Sequence, residues 1–383
     1  MLRFLTSGES HGPGLVATVE GLPSGLSVTI DGIGTELARR RLGFGRGPRM
    51  RLERDELEIL GGVRFGRTLG GPVTVLIRNS EWEKWKDEMS PHEGVSQRIE
   101  TTPRPGHADL VGMQKYDTHD ARDILERASA RETAARTVVG YLSKQLLGEV
   151  GVSVFSHVVA IGSARISEET LPQPHDLPAI DASDVRAFDK DVEESMISEI
   201  KAAAADRDTL GGVVEVLAYG LVPGIGSHVH WDRKLDGMIA GALMSIQAIK
   251  AVEIGDGNAQ AASRGSQAHD EIVLSSGEYA RKSNRAGGLE GGMTTGEVLR
   301  VRASMKPIST LMRPLATVDV DTREETSAFR ERSDVCAVPA AGVVAEQMVA
   351  YVLANEMLRK FGGDTVGDFV ANVGTYMTRL ADF

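Results

Sequence analysis

Glycines stand side by side at Gly61-Gly62, Gly70-Gly71, Gly211-Gly212, Gly287-Gly288 and Gly291-Gly292. Such pairs suit turns and close backbone approach, and they are poor residues for a helix interior. They cut the chain into pieces, and long helical patterns have to lie between them. Over Asp120–Glu149, the residues Ile124, Ala128, Ala135, Val138, Leu142 and Leu146 recur near the 3.6 period, with Arg131 in the gap of the apolar stripe. Asp120 can cap this predicted helix. Asp232–Ile254 is apolar on nearly every side and predicts a buried helix. Gly342–Lys360 places Arg359 and Lys360 before Gly362, which is a helix C-terminus. Shorter helices are expected over Thr35–Leu42 and Asp189–Asp206.

Strand signals fill much of the rest. "LVATVEGLPSGLSVTI" reads as two strands around a Gly/Pro turn, and "PVTVLIRN", "VSVFSHVVAIG", "GGVVEVLAYGLV" and "GEVLRVRASMKPIS" read as further strands. Trp82–Thr102 is polar and predicts a long surface excursion. Ser163–Ala187 is rich in Pro and Asp and predicts a loop. Strands that come partly as hairpins, with a few long helices, favour α+β over a regular βαβ series. No G-x-G-x-x-G opens a helix after a strand, and no phosphate-binding P-loop occurs.

The chain has 383 residues, 41% hydrophobic and 25% charged, as in soluble globular proteins of one large or two modest domains. The lack of a long apolar run argues against a membrane span, and the N-terminus has no signal-peptide pattern. A single cysteine, Cys336, excludes an intramolecular disulfide framework and a Cys-rich metal site. A cytoplasmic protein is expected. The net charge of −11 argues against a general nucleic-acid binder. Yet "RRRLGFGRGPRMR", Arg39–Arg51, holds six arginines and no acid. Its glycines and proline suit a folded loop, and guanidinium forks fit phosphate and carboxylate oxygens. A small polyanionic ligand is favoured over a solvated basic face or a nucleic-acid patch.

"SGESHG", Ser7–Gly12, contains the G-x-S-x-G of serine hydrolases. That motif needs a sheet strand before it and a helix after it. Here only seven residues precede Gly8, and a β-branched run follows, so Ser10 is not read as a nucleophile. His11 is either a turn histidine or a proton-exchanging group. In "RPGHAD", His107 has Asp109 two residues on to orient its ring, or it is a surface histidine in a Pro-Gly turn. In "RERSDVCAVPAAG", Asp334 borders an apolar segment and could act as a base, or Ser333 or Asp334 caps a helix. Cys336 reads as a small buried side chain. His228 and His230 would share one face if this stretch is a strand and could then bind a metal, but no third ligand is evident nearby, so the structural reading is favoured and no metal is expected. His92, His119, His157, His175 and His269 have no constellation around them.

"SGESHG", "RRRLGFGRGPRM", "RPGHAD", "ERASARET", "SIQAIKAVEIG", "GGLEGGMTTGE", "KPIST" and "RSDVCAVPA" occur in that order. Together this series resembles the chorismate synthase family from residue 7 to about residue 345. The resemblance implies one large domain, 1–383, with an α+β sandwich of long helices between antiparallel sheets, usually as a homotetramer. It implies 1,4-anti elimination of phosphate from 5-enolpyruvylshikimate 3-phosphate to give chorismate, the last step of the shikimate pathway. Reduced FMN is needed although there is no net redox change, with NADPH as an external or bound reductant and an external source favoured. No nucleic acid or membrane partner is expected.

The resemblance also carries roles. His11 is the expected proton donor to the departing phosphate. His107 is expected beside the reduced flavin, and Asp334 is expected to help the flavin N5 accept the ring proton. Arg40 and Arg46 match anion-binding arginines associated in the family with a nicotinamide nucleotide. Arg127, Ala128, Ser129, Gln247, Ala248, Gly291, Lys306, Pro307, Ile308, Ser309, Thr310 and Arg332 match flavin contacts. Arg49 and Arg131 are the expected substrate arginines, which would account for a charge on an apolar stripe.

Overall fold

The computed structural model describes every residue except 47–55, 168–170, 276 and 332. Two antiparallel sheets enclose a layer of helices. The first sheet runs in the order Arg3–Ser7, Gly14–Glu20, Val73–Arg78, Glu56–Gly61. The second runs in the order Ile249–Ile254, Leu299–Met305, Gly212–Tyr219, Ser153–Ile161, Ala164–Arg165. Alternation explains the first sheet: Leu15, Ala17, Val19, Val73, Val75 and Ile77 point into the core and are buried. On the outer face the Thr18 and Thr74 hydroxyls pair at 3.1 Å. Ser153–Ile161 is buried almost throughout, because both of its faces are covered. This is the α+β class that the strand and helix signals predict, in the sandwich of helices between antiparallel sheets that the resemblance implies.

Helix Thr133–Gly148 packs on the first sheet, and helix Val338–Phe361 packs on the second. They cross at Gly140, where a Cβ would stand 2.2 Å from the Gln347 Cβ, so this close approach requires glycine. Pro339 in the first turn suits the start of the second helix. By length and composition that helix could cross a membrane, but it lies in the core with 89% of its most apolar window buried. Helix Ile30–Arg41 joins the layer; Thr29 caps it by accepting from Gly32 N, and Arg39–Arg41 close its C-terminal turn.

A buried ion network ties the layer together. Glu346 is fully buried and receives Arg39, Lys144 at 2.9 Å and, more distantly, Arg186 at 3.7 Å. Glu36 pairs with Arg39 at 2.7 Å and Lys144 at 3.1 Å, and Asp181 pairs with Arg39 at 2.8 Å and with Arg186. Burial alone would raise the Glu346 carboxyl, but the three cations hold it well below the ordinary carboxylate range.

Several sequence expectations change. Ser163–Ala187 is not all loop, since it carries strand Ala164–Arg165 and helix Leu177–Ala182. The helix over Asp120–Glu149 is broken into Arg122–Ala128, a 3₁₀ turn Ala130–Glu132, and Thr133–Gly148. Ser129 is extended, and its side chain accepts from Arg131 N. The apolar stripe belongs to two cores: Ile124 and Leu125 pack with Met113 and Ala121, whereas Ala134–Leu147 face the main core. Asp232–Ile254 is a helix only over Leu235–Met244. Ala248 then takes φ +68°, and the β-branched run Ile249–Ile254 becomes a sheet edge. After Gly21 no second strand forms, only isolated bridges at Ser24 and Ser27. Asp334 does not cap the following helix, whose N-cap is Ala337. A helix not anticipated from the sequence, Val366–Ala381, has a capping box between Thr365 and Asp368.

Candidate active site

The hairpin between the first two strands projects the turn Gly8–Pro13 from the end of the first sheet. Gly8 has φ +98°, and a Cβ there would lie 2.1 Å from the Gly14 carbonyl oxygen, so the turn depends on it. Helix Arg122–Ala128 holds the turn through Glu126. Ser10 N donates to the Glu126 carbonyl at 3.0 Å. The Glu126 carboxylate accepts from His11 N at 2.8 Å, from Ser10 Oγ at 3.0 Å and from His11 Nδ1 at 2.8 Å. From the other side, Asn79 Nδ2 donates to the carbonyls of Glu9 at 3.0 Å and Gly12 at 2.8 Å. Arg131 Nε donates to Asn79 Oδ1 at 3.2 Å. The Ser10 hydroxyl is spent on Glu126, and a strand follows the turn, so no nucleophile elbow exists here.

Trp85, from the Trp82–Thr102 excursion, stacks on His11 with ring centroids 4.2 Å apart and planes at 29°. Most of that excursion is exposed, as expected, but this indole turns inward. Arg122 and Arg98 both lie over the Trp85 ring at 4.8 Å. His11 is thereby buried. Glu126 would be raised by burial, but its hydrogen bonds and the His11 charge hold it below the ordinary carboxylate range. A pocket of about 230 Å³ beside Glu126 is lined by Glu9, Glu88, Asp120, Asp123 and Arg122 among others. Its acidic wall is unsuited to a polyanion.

The second histidine lies in the loop before helix Asp109–Tyr116. His107 Nδ1 pairs closely with Asp109 Oδ1. Asp109 is fully buried and also accepts from Arg104 N at 3.1 Å and Arg104 Nε at 2.8 Å. Burial works to raise Asp109, but His107 and Arg104 outweigh it and bring it down to about 2. Arg104 Nη1 donates to Thr310 Oγ1 at 2.9 Å, and its guanidinium covers the Phe329 ring at 4.6 Å. Lys306 Nζ donates to the Gly106 carbonyl, as does Ser309 Oγ at 2.9 Å. A Cβ at Gly106, which has φ +78°, would stand 3.3 Å from Lys306 Nζ. The "RPGHAD" and "KPIST" stretches therefore form one surface.

Backbone and side-chain contacts join further predicted residues to it. Lys306 N donates to the Ala248 carbonyl at 3.0 Å, and Gln247 Nε2 donates to Glu132 at 3.3 Å. Thr209 Oγ1 donates to the Ile308 carbonyl at 2.8 Å, while Leu210 N donates to the Val335 carbonyl at 2.9 Å. Asp334 faces Arg46 Nε at 3.1 Å. Arg40 reaches the 3₁₀ turn, donating to Thr133 Oγ1 at 2.8 Å and to the Ala130 carbonyl at 3.2 Å. Arg127 is exposed and donates to the Gly8 carbonyl at 3.1 Å and the Thr6 carbonyl at 2.8 Å, tying its helix to the first strand. Gly291 stands apart, in the hairpin turn Leu289–Thr294; the Gly292 carbonyl there accepts from Leu235 N at 3.0 Å. That is the opposite end of helix Leu235–Met244 from Gln247, about 15 Å away at 1.5 Å per residue. Arg49 and Arg332 lie outside the described residues.

Sequence reasoning missed Glu126, Trp85, Asn79, Arg104 and Arg122. Glu126 opens the quoted "ERASARET", but nothing local says that it meets a turn more than a hundred residues earlier. His157 also has a partner, Glu215 at 3.1 Å, which Arg302 approaches at 2.9 Å. That buried row lies across the second sheet, apart from both other histidines. Cys336 is buried, and burial pushes its thiol up to about 11, an inert state at neutral pH. Among the described residues no cluster of three or more His, Cys, Asp or Glu could hold a metal.

The family model described as chorismate synthase matches residues 2–358. A protein of Frankia alni named chorismate synthase is 59% identical, with 99% of both chains covered. One of Thermobifida fusca is 58% identical over 99% of both chains, and one of Leifsonia xyli is 56% identical over 100% of this chain and 97% of its own. A crystal structure titled as chorismate synthase is 40% identical and superposes with a TM-score of 0.81, covering 100% of this chain and 99% of that one. Matched along its length in both sequence and fold, the chain belongs to the chorismate synthase family.

Proposed function

We propose that the chain catalyses the last step of the shikimate pathway, the 1,4-anti elimination that converts 5-enolpyruvylshikimate 3-phosphate to chorismate. The C–O bond to phosphate breaks, a ring C–H proton is lost, a C=C bond forms, and inorganic phosphate leaves. The observation that supports the reading is the joining of the His107–Asp109 loop to Lys306–Thr310 and Ala248 by hydrogen bonds, together with a second buried histidine–carboxylate pair, His11–Glu126, on the N-terminal turn. No net oxidation occurs, and reduced FMN, bound at that surface, would supply transient electron density to the substrate ring.

The residues present fit a flavin. Gln247 Oε1 is buried and has no hydrogen-bond partner among the described residues, so it offers an acceptor for a ring N–H. Lys306 and Ser309 sit beside the Gly106 backbone, where the absent Cβ leaves room. Lys306 supplies positive charge there, and His107 stands next to it with Nδ1 fixed by Asp109. Arg131, within the 3₁₀ turn, and Arg40, bonded to it, would present cations to an anionic substrate. His11 has Nδ1 committed to Glu126, so Nε2 is the atom that can give a proton to the departing phosphate. Asp334, ion-paired with Arg46, would assist the flavin in taking up the ring proton.

The working form is proposed to be a cytoplasmic homotetramer that receives flavin reduced outside the chain, with NADPH as the ultimate donor. The test is anaerobic phosphate release from 5-enolpyruvylshikimate 3-phosphate, with and without photoreduced FMN. Release only with reduced flavin is expected. Release at the same rate without it would overturn the reading.

A further inference from the structure

Glu126 has a side chain only 2% exposed, yet it is a carboxylate used on both oxygens. Oε1 takes the His11 ring N–H and Arg122 Nη1 at 3.1 Å, and Oε2 takes the His11 backbone N–H and the Ser10 hydroxyl. The Glu126 carboxylate fixes the imidazole in its plane, and Trp85 fixes it by one face. Glu9 of the same turn as His11, and Glu88, Asp120 and Asp123, line the pocket on the far side of Glu126. Around the ring itself, the turn contributes Ser10, the helix contributes Glu126 and Arg122, the excursion contributes Trp85 with Arg98 over it, and Asn79 relays Arg131. Arg122 does not neutralise Glu126 alone, because it is shared with Glu331 at 3.4 Å and Glu100 at 3.5 Å. Negative charge is therefore left at Glu126 for the ring.

We infer that Glu126 is the positioning residue of His11: it keeps a proton on Nδ1 and aims Nε2 at the ligand. The arrangement is the carboxylate–imidazole pairing by which a buried acid sets a histidine tautomer, here assembled from a hairpin turn and a distant helix. A glutamate that only pinned the turn would need just the two backbone contacts of residues 10 and 11. The ring contact and the Trp85 clamp are what a purely structural role leaves over. The catalytic consequence rests on the reading of His11 as proton donor, whereas the tautomer does not.

The first experiment is nitrogen-15 NMR of His11 in the ligand-free full chain. A neutral ring protonated only on Nδ1 is expected in the native protein, and a mixture of tautomers is expected in Glu126→Ala. A single Nδ1–H ring in that variant would overturn the inference. The second uses the isosteric Glu126→Gln, which keeps volume and removes charge. Its kcat should fall on the order of 10²-fold, at the low end of what a general acid contributes, with KM for 5-enolpyruvylshikimate 3-phosphate unchanged. Glu126→Asp should recover part of the loss. A native kcat in Glu126→Gln would also sink the inference. Full activity in His11→Ala would instead remove the reading of His11 and leave the tautomer result standing.

Discussion

His11 and His107 each rest Nδ1 on a buried carboxylate, but the carboxylates arrive by opposite routes. Asp109 lies two residues from His107, and a Pro-Gly turn brings it there before any tertiary structure is needed. Glu126 lies on another element, 115 residues from His11, and arrives only when helix Arg122–Ala128 docks on the N-terminal hairpin. The coverings differ too. His107 keeps 21% of its side chain exposed, whereas His11 is sealed by Trp85 to 9%. A locally built pair can face a bound cofactor across an open loop. A pair built by docking is oriented by the whole fold and can be held away from water until ligand enters. Burial of a titratable pair does not by itself mark the chemistry: His157 and Glu215 are more deeply buried than either and only bridge strands.

The contrast breaks most readily at His11. His11→Ala should lower kcat on the order of 10²- to 10⁴-fold, while flavin and substrate still bind, as measured by single-turnover phosphate release and by flavin titration. Native turnover would remove His11 from the chemistry and leave the two pairs equivalent. Next is Asp109→Asn, which leaves Arg104 buried without its partner. A loss of about 3 kcal/mol in unfolding free energy is expected by denaturant titration. Because the folded Asp109 is depressed to about 2, its contribution is complete above the unfolded value near 4 and is lost as pH falls between them. The gap between native and variant stability should therefore close as pH drops from about 4 to about 2. A gap constant with pH would show that the loss comes from packing. The smallest effect is expected for Trp85→Leu, which removes the stacking and the two cation contacts: about 1 kcal/mol of stability. It should also give faster solvent exchange of the His11 ring proton by NMR. Unchanged exchange would mean that the excursion does not seal the site.

What the sequence discloses divides along the same line. Local features are legible: the Asp109 partner of His107, the alternation of Gly14–Glu20 and Val73–Arg78, and the basic last turn of Val338–Phe361. The motif series also brings the Lys306–Thr310 and Gln247–Ala248 segments to one surface. Non-local features are hidden. The period of Asp120–Glu149 resumes beyond Ser129 because two separate cores want apolar residues at similar spacing, so the break that turns Arg131 towards Asn79 shows only as one gap in the stripe, which a continuous helix could carry as well. Apolar content alone could not separate helix from strand over Leu235–Ile254; the left-handed Ala248 and the β-branched residues after it do. Trp85 lies in a stretch whose polarity conceals one inward-facing ring.

The ion network inside the helical layer sets an order on the making of the protein. Arg39, Lys144 and Arg186 are balanced by Glu36, Asp181 and Glu346, three charges against three. Five of the six lie in the first half of the chain, and the sixth is on the helix synthesised close to the end. A nascent chain that has not yet released residue 346 carries one uncompensated positive charge in what will become its driest layer, so that layer cannot close early. The two sheets are kept apart until helix Val338–Phe361 is available to join them, and a truncation before Val338 leaves one positive charge of that layer without a counter-charge.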